Sequence, residues 1–351
     1  MRIISYVAFM TPLAASLARP SYALEHWRPR FWSPEPPGRL GSRLIGSHRA
    51  DLVVIGGGLT GLSAAFHAKE KHSNWKVVLI EAAQIAAGSS GMAGGIIVKD
   101  KSVPNSEGDA EFFYNLMDRL RIDCDLISSK GRLADVANEY ANDLLNPLSL
   151  TRELATACTQ IGVELHEASA ASGIAAHQSD VVITGRRFLV RSRFVVLAID
   201  AYAGMWNGLL GSEFDTTSQV CVVVRLKSQE ASQIPWVYYR SIGGGDDDEF
   251  VWGRRIGDRR FLFGSKEGPR DQFESYSRRA IVQDLRDKLP KLRNAVAESV
   301  WSGLISRFKE TSERVRPVLD RRILFGGGYN GYGITASVAT GGEIARTVGI
   351  L

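Results

Sequence analysis

Between Asp51 and Ala82 the chain reads DLVVIGGGLTGLSAAFHAKEKHSNWKVVLIEA, and no other stretch constrains the fold as strongly. Two short apolar runs, DLVVI and KVVLI, flank a small-residue segment of helical length. Runs buried on both faces and joined by a helical crossover are parallel strands of an α/β sheet. Gly56, Gly58 and Gly61 fall between the first strand and the helix, in the spacing G-x-G-x-x-G. Gly56 permits the tight turn, Gly58 lets backbone approach a phosphate, and Gly61 lets the helix lie close on the sheet. The helix N-terminus then offers free N–H groups and a favourable dipole to an anion. Glu81 ends the second strand, where a carboxylate accepts hydrogen bonds from ribose hydroxyls. Strand, turn, helix, strand and acid together predict a bound dinucleotide.

The 351 residues allow one large domain or two closely joined ones, and 44% hydrophobic against 23% charged residues is an ordinary globular balance. The net charge of +5 comes from arginines spread along the chain, so no nucleic-acid partner is expected. Cys124, Cys158 and Cys221 are widely spaced, and no His/Cys cluster has metal-ligand spacing, so no metal is expected and the cysteines read as buried thiols. His67 reads as a packed helical histidine. The first residues hold a short apolar run interrupted by Pro12, a weak export-signal pattern that is too short to span a membrane. The expected location is therefore the cytoplasm, with no integral membrane segment. Residues 25–49 form a Pro-rich extended lead-in. After about Thr217 the texture changes to short β segments such as QVCVVVRL, PWVYYR, EFVWGRR and RRFLFGS, which predict an antiparallel sheet.

Two further glycine loops decide the cofactor type. AAQIAAGSSGMAGGI follows Glu81, and GGGYNGYGI precedes the last helix. A nicotinamide enzyme has no need of them, whereas a flavin ring lying across a sheet needs close backbone approach. With VVIGGGLTGLSAA, VVLIEA, GSSGMAGG, NPL, GVELHE, VVLAIDAYA, FLFGS and GGYNGYGI, the chain resembles the FAD-dependent D-amino-acid oxidase superfamily. The likeness is to the branch of gamma-glutamylputrescine, glycine and sarcosine oxidases, and covers Asp51 to Val348 with one large gap.

That resemblance implies an α/β fold: a Rossmann-like FAD domain of the GR2 type with an inserted antiparallel-sheet substrate domain. Residues 1–49 would be an N-terminal extension. Segments 50–100, 146–216 and 301–351 would build a discontinuous FAD domain, and 101–145 and 217–300 the substrate domain. Gly56, Gly58, Leu59, Thr60 and Gly61 would hold the pyrophosphate, with Glu81 and Ala82 at the ribose. Ser89, Ser90, Gly94 and Gly95 would face the flavin's pyrimidine side and ribityl chain, and Ala171 the adenine. Gly331, Tyr332, Gly333, Ile334 and Thr335 would bring helix N–H groups toward the ring. FAD would be non-covalent, since no cysteine lies between Trp301 and Pro317, where sarcosine oxidases tether it.

The chain departs from the pattern in several places. Met92 and Ala93 stand where relatives often have Arg-Asn, Thr335 stands at a lysine position, and Leu262 stands where some oxidases have an oxygen-activating lysine. Between SSKGRLADVA and NDLLNPLSL relatives carry several dozen more residues, which implies an unusually open pocket or lost turnover. The implied reaction is oxidation of a C–N bond in a small amine or amino acid. Hydride would pass to flavin N5 and the imine would be hydrolysed, with oxygen or a quinone as electron acceptor. Arg254 has two readings: a cation for a substrate carboxylate, with Trp252 as an aromatic wall on the same strand face, or a solvated arginine on an exposed face. Arg255, on the opposite face, is expected to be solvated. Tyr238 and Tyr239 are candidate pocket walls or sheet packing, and Lys266 and Arg307 further candidate substrate residues. Two rival functions are a degenerate flavoprotein holding FAD structurally, as a subunit of a complex, and a tRNA-modifying flavoprotein.

Overall fold

The computed structural model describes residues 6–9, 32–33, 37–98, 105–128, 141–206, 210, 214–227, 234, 236–242, 249–269, 278–308 and 313–350. The side chains at 6–9, 128, 141–142, 205, 218, 239–242, 249–250, 265–269, 278 and 307 lie outside that description.

In chain order the elements are β1 (Tyr6–Phe9), β2 (Gly46–Ile55), α1 (Leu59–Lys71), β3 (Val77–Ile80), α2 (Ser89–Met92), β4 (Ile96–Val98), α3 (Ser106–Leu120), β5 (Ile127–Ser128) and β6 (Ala141–Leu144). There follow α4 (Pro147–Gln160), β7 (Glu164–His166), β8 (Ala171–Ala176), β9 (Val181–Gly185), β10 (Phe188–Leu197) and a 3₁₀ turn (Asp200–Met205). The remainder comprises β11 (Phe214–Arg225), β12 (Val237–Ile242), β13 (Glu249–Ile256), β14 (Arg260–Pro269), α5 (Arg278–Lys288), β15 (Val296–Phe308), β16 (Val315–Val318), β17 (Asp320–Gly326) and α6 (Gly333–Thr347).

The runs read as buried strands form a parallel core in the order β17-β10-β2-β3-β7. Val77–Ile80 is buried along its whole length, as a strand covered on both faces must be. β10 is long enough to serve two partners on one edge: its first half pairs antiparallel with β9 and its second half parallel with β17. β9 and β8 continue that antiparallel arm, and β1 closes it against Gly173–Ala176. β2 begins at Gly46, five residues before the apolar run, because its first half pairs with β10 at Phe188–Arg191.

Helices α1 and α6 pack together over one face, and small residues let them approach closely. A Cβ on Gly341 would lie 2.5 Å from the Ser63 side chain, and Ser63 Oγ donates to Val338 O at 2.6 Å. His67 is a packed helical histidine: its ring stacks on Phe112 at 5.3 Å, and burial lowers its pKa.

The second sheet is antiparallel, in the order β12-β13-β14-β11-β15. α5 packs on its far side through Ile281 and Leu285. A third, small sheet runs β4-β6-β5. Two elements cross the limits expected for the domains. β15 runs unbroken from Val296 to Phe308 in the antiparallel sheet, so the limit expected at 301 falls inside a strand. α3, grouped by sequence with the substrate domain, packs against α6, and Phe112 meets Gly342 there. Its Asp109 is also held in a two-bond ion pair by Arg314, at 2.6 and 3.0 Å. The shortened stretch between the two quoted motifs is residues 138–141, of which 138–140 lie outside the described residues. No helix among the described residues is long and apolar enough to cross a membrane.

Candidate active site

A cavity of about 830 Å³ lies between the C-terminal ends of the parallel strands and the antiparallel sheet. That is ample for a large organic cofactor, typical small-molecule sites spanning roughly 300–1,000 Å³. Crevices at strand C-termini are where open α/β sheets bind ligands.

One wall is mostly backbone. Every cofactor-side residue named from the sequence lines it except Gly61. Gly61 sits behind the wall, where a Cβ would come within 2.0 Å of Gly56 O and 3.2 Å of Ala198. Gly56 itself adopts φ +116°, and a Cβ there would lie 2.3 Å from Ala198 O. Gly58 caps α1 without a side-chain bond, and no acid lies in the helix's first turn, so its N-terminus is free to favour an anion. Ser90 Oγ accepts from Leu59 N at 3.0 Å, placing its hydroxyl over the same turn. The N-terminus of α6, at Gly333, meets the cavity from the other side and also lacks a side-chain cap.

Two carboxylates face this space. Glu81 accepts from Gly57 N at 2.7 Å and from Ala83 N at 2.8 Å. Burial pushes its pKa above the usual carboxylate value, the Ala83 and Gly57 amides pull it back, and the nearby Glu167 adds to the rise. Asp200 is the second. It follows β10 at φ +41°, and accepts from Gly328 N at 3.0 Å and from the Ser306 hydroxyl. Burial raises its pKa, against the lowering effect of Ser306 and the Gly328 and Ala201 amides. Sequence reading missed Asp200, although an acid straight after the apolar run FVVLAI is the same signal that exposed Glu81. Tyr329 was also missed. Its buried hydroxyl meets Thr60 Oγ1 at 2.6 Å and ties the last glycine loop to the first.

The antiparallel sheet supplies the other wall, and it is side-chain built: Trp252, Trp301, Cys221, Gln219, Leu304 and Ile305 line it. Trp252 Nε1 donates to Gln219 Oε1 at 3.1 Å, which fixes the ring. A Cβ on Gly94 would lie 2.5 Å from that ring, so the glycine is what lets the tryptophan close on the loop. Burial pushes the Cys221 thiol up to about 12.

Arg254 fits neither reading of it. It is 3% exposed and absent from the cavity lining, so it is neither solvated nor aimed at a substrate carboxylate. Its Nη1 donates to Gly95 O at 2.6 Å and to Leu145 O at 2.8 Å. Trp32, from the N-terminal extension, covers the guanidinium at 5.2 Å. Burial lowers its pKa to about 9, which still leaves it protonated at neutral pH. Strand alternation does separate it from Arg255, but Arg255 is not solvated: it lies over Trp236 at 4.5 Å and faces Asp258 at 3.6 Å. Tyr238 packs on the core beneath the antiparallel sheet. The side chains of Tyr239, Lys266 and Arg307 lie outside the described residues, while their backbones belong to β12, β14 and β15.

The extension is bound beside Glu81. Buried Glu167 accepts from Leu40 N at 2.8 Å, Gly41 N at 3.0 Å and Ile85 N at 2.7 Å. Ser169 Oγ accepts from Leu44 N at 2.8 Å.

The model of the family described as DAO, FAD dependent oxidoreductase, matches residues 51–137 and 129–347. The chain belongs to this family. It is therefore an FAD-dependent oxidoreductase, and the glycine loops and Glu81 fit that cofactor. Gamma-glutamylputrescine oxidoreductase of Escherichia coli (strain K12) is 26% identical over 365 residues, covering 84% of this chain and 83% of that protein. Glycine oxidase from Geobacillus kaustophilus superposes with a TM-score of 0.66 at 18% identity, over 86% of this chain and 95% of that one. Iminodiacetate oxidase from Chelativorans sp. BNC1 gives a TM-score of 0.65 at 14% identity, over 84% and 94%. These structural likenesses concern the fold, whose parallel-rich and antiparallel sheets match this one.

Proposed function

We propose that the chain oxidises the C–N bond of a small amine or amino acid, using non-covalently held FAD and passing the electrons to oxygen or a quinone. The observation that carries this reading is the cavity itself, in which a backbone wall with Glu81 adjoins an aromatic wall. The relatives' names, which cite gamma-glutamylputrescine, glycine and iminodiacetate, point to nitrogen-bearing substrates.

When bound, the flavin supplies the hydride acceptor, and the protein supplies binding, orientation and electrostatics. Glu81 would accept ribose hydroxyls, and the uncapped ends of α1 and α6 would favour negative charge on the phosphates and on the ring. Trp252 and Trp301 exclude water and hold the amine's carbon chain against the loop wall. Burial pushes the Cys221 thiol up and so disfavours the thiolate that tethering needs, which favours non-covalent FAD. Free, buried Cys124, Cys158 and Cys221 suit a reducing compartment, consistent with the cytoplasm.

The test is anaerobic mixing of the FAD-loaded protein with a panel of amines and amino acids, followed at the flavin absorbance bands. Bleaching by at least one amine is expected. Bleaching by dithionite but by no panel member would reject amine oxidation and favour a flavoprotein that holds FAD structurally.

A further inference from the structure

We infer that Arg254 is a positioning residue for the flavin, acting through the backbone of residues 94–96; the inference rests on the FAD reading above. The guanidinium's described hydrogen bonds all go to backbone carbonyls, and Asp125 acts on it through charge alone. Its partners are carbonyls: Gly95 O at 2.6 Å, Leu145 O at 2.8 Å and Gly94 O at 3.4 Å through Nη1, and Arg255 O at 3.1 Å through Nε. Sequestering a cation among neutral partners is costly, and a neutral side chain would fill the same volume at lower cost. The charge therefore has a use beyond packing.

Peptide geometry shows what the use is. No described peptide bond is cis, so each N–H points opposite to the carbonyl of its own peptide plane. With the Gly94 and Gly95 carbonyls drawn to Arg254, the Gly95 and Ile96 N–H groups turn the other way. Gly94, Gly95 and Ile96 all line the cavity.

The strand register agrees. Ile96 lies opposite Leu144, and Leu145 N donates to Gly95 O at 2.9 Å, so Ile96 is at a non-hydrogen-bonded position of the ladder. Its N–H points away from β6. A regular ladder would offer Leu145 O to the Gly95 N–H, but Arg254 occupies that oxygen and Gly95 turns to φ +67°. Both amides are thereby withheld from the sheet. A cation at the carbonyl end of a peptide also polarises it, which strengthens the N–H as a donor. Donors fixed on the cavity side would favour the negative charge that a flavin ring gains on reduction. Trp32 shields the clamp from the outside, which makes the N-terminal extension part of the device.

The experiment compares wild type, Arg254→Lys and Arg254→Met for FAD dissociation constant, flavin midpoint potential and thermal stability of the apoprotein. Arg254→Met is expected to weaken FAD binding about tenfold, the scale of one charge-assisted hydrogen bond. It should also lower the midpoint potential, and Arg254→Lys should recover part of that shift by restoring the charge. Reduced apoprotein stability with an unchanged potential in both variants would make Arg254 a packing residue only and overturn the inference. If Arg254→Met does not fold, Arg254→Lys decides alone: a lowered potential supports the role, and wild-type values of both constants reject it. Wild type that takes up no FAD would instead overturn the flavin reading, and this inference with it.

Discussion

The cavity's loop wall and its sheet wall recognise their ligands by different means. On the loop wall the contact surface is backbone: Gly56, Gly58, Gly94 and Gly333 bring peptide groups to the space, and few side chains intrude. On the sheet wall Trp252, Trp301, Cys221 and Leu304 present side chains, held by the register of β11, β13, β14 and β15. A backbone wall suits an invariant cofactor, because only glycine at fixed places permits it. A side-chain wall can change its selectivity by substitution while the sheet stays intact.

The largest effect that would break this contrast concerns the glycines. Gly56→Ala sets a side chain at φ +116° against Ala198 O, and Gly61→Ala sets one 2.0 Å from Gly56 O. Neither backbone neighbour can move cheaply, so each variant should lose about 2–5 kcal/mol of folding stability by chemical denaturation. Gly58→Ala meets only Ser90 Oγ, at 2.7 Å, which can rotate away. Rotation gives up the bond from Leu59 N, so this variant should lose only about 1 kcal/mol of stability while binding FAD more weakly in a titration. Equal destabilisation by all three would mean the turn is shaped for folding and not for a ligand.

Next in size is Glu81. Glu81→Gln replaces a charged acceptor with a neutral one, and FAD affinity should fall by about one to two orders of magnitude, or roughly 1.5–3 kcal/mol. Unchanged affinity would place the adenosine elsewhere.

For the sheet wall, Trp301→Ala should leave FAD affinity nearly unchanged and weaken the amine. The apparent amine constant in anaerobic flavin reduction should rise about tenfold or more, as for other buried aromatic contacts. A variant that loses FAD and amine together would merge the two walls into one site.

The smallest effect is electrostatic. Glu81 and Asp200 both have folded pKa values raised by burial. Such an acid is ionised in the unfolded chain before it ionises in the folded one, so apoprotein stability falls as pH rises from its ordinary pKa through the folded value. Asp200→Asn should therefore flatten the fall in thermal stability above about pH 4 relative to wild type. A steeper fall in the variant would contradict the sign.

How much of this the chain discloses follows the same division. The glycine spacing and Glu81 are local features, legible within one short stretch of sequence. Asp200 is equally local, but no glycine motif stands beside it to mark it as an acid facing a ligand. Arg254 could not be placed from sequence: alternation along β13 gave its side of the strand, but not that Leu145 and the 94–95 loop would be brought under it by β4 and β6. Its covering Trp32 lies more than two hundred positions away in a segment read only as a lead-in. The antiparallel sheet was visible as texture, whereas the full extent of β15 was not, because VAESVWSGLISRF shows no clear apolar–polar alternation and its length is set by pairing with β11.

The most direct measurement is the absorbance spectrum of the purified protein before and after acid precipitation. A flavin spectrum at about one FAD per chain, released wholly into the supernatant, is the result expected of a backbone-built, non-covalent site. A colourless protein that cannot be reconstituted with FAD, or a pellet that keeps the yellow colour, would contradict it.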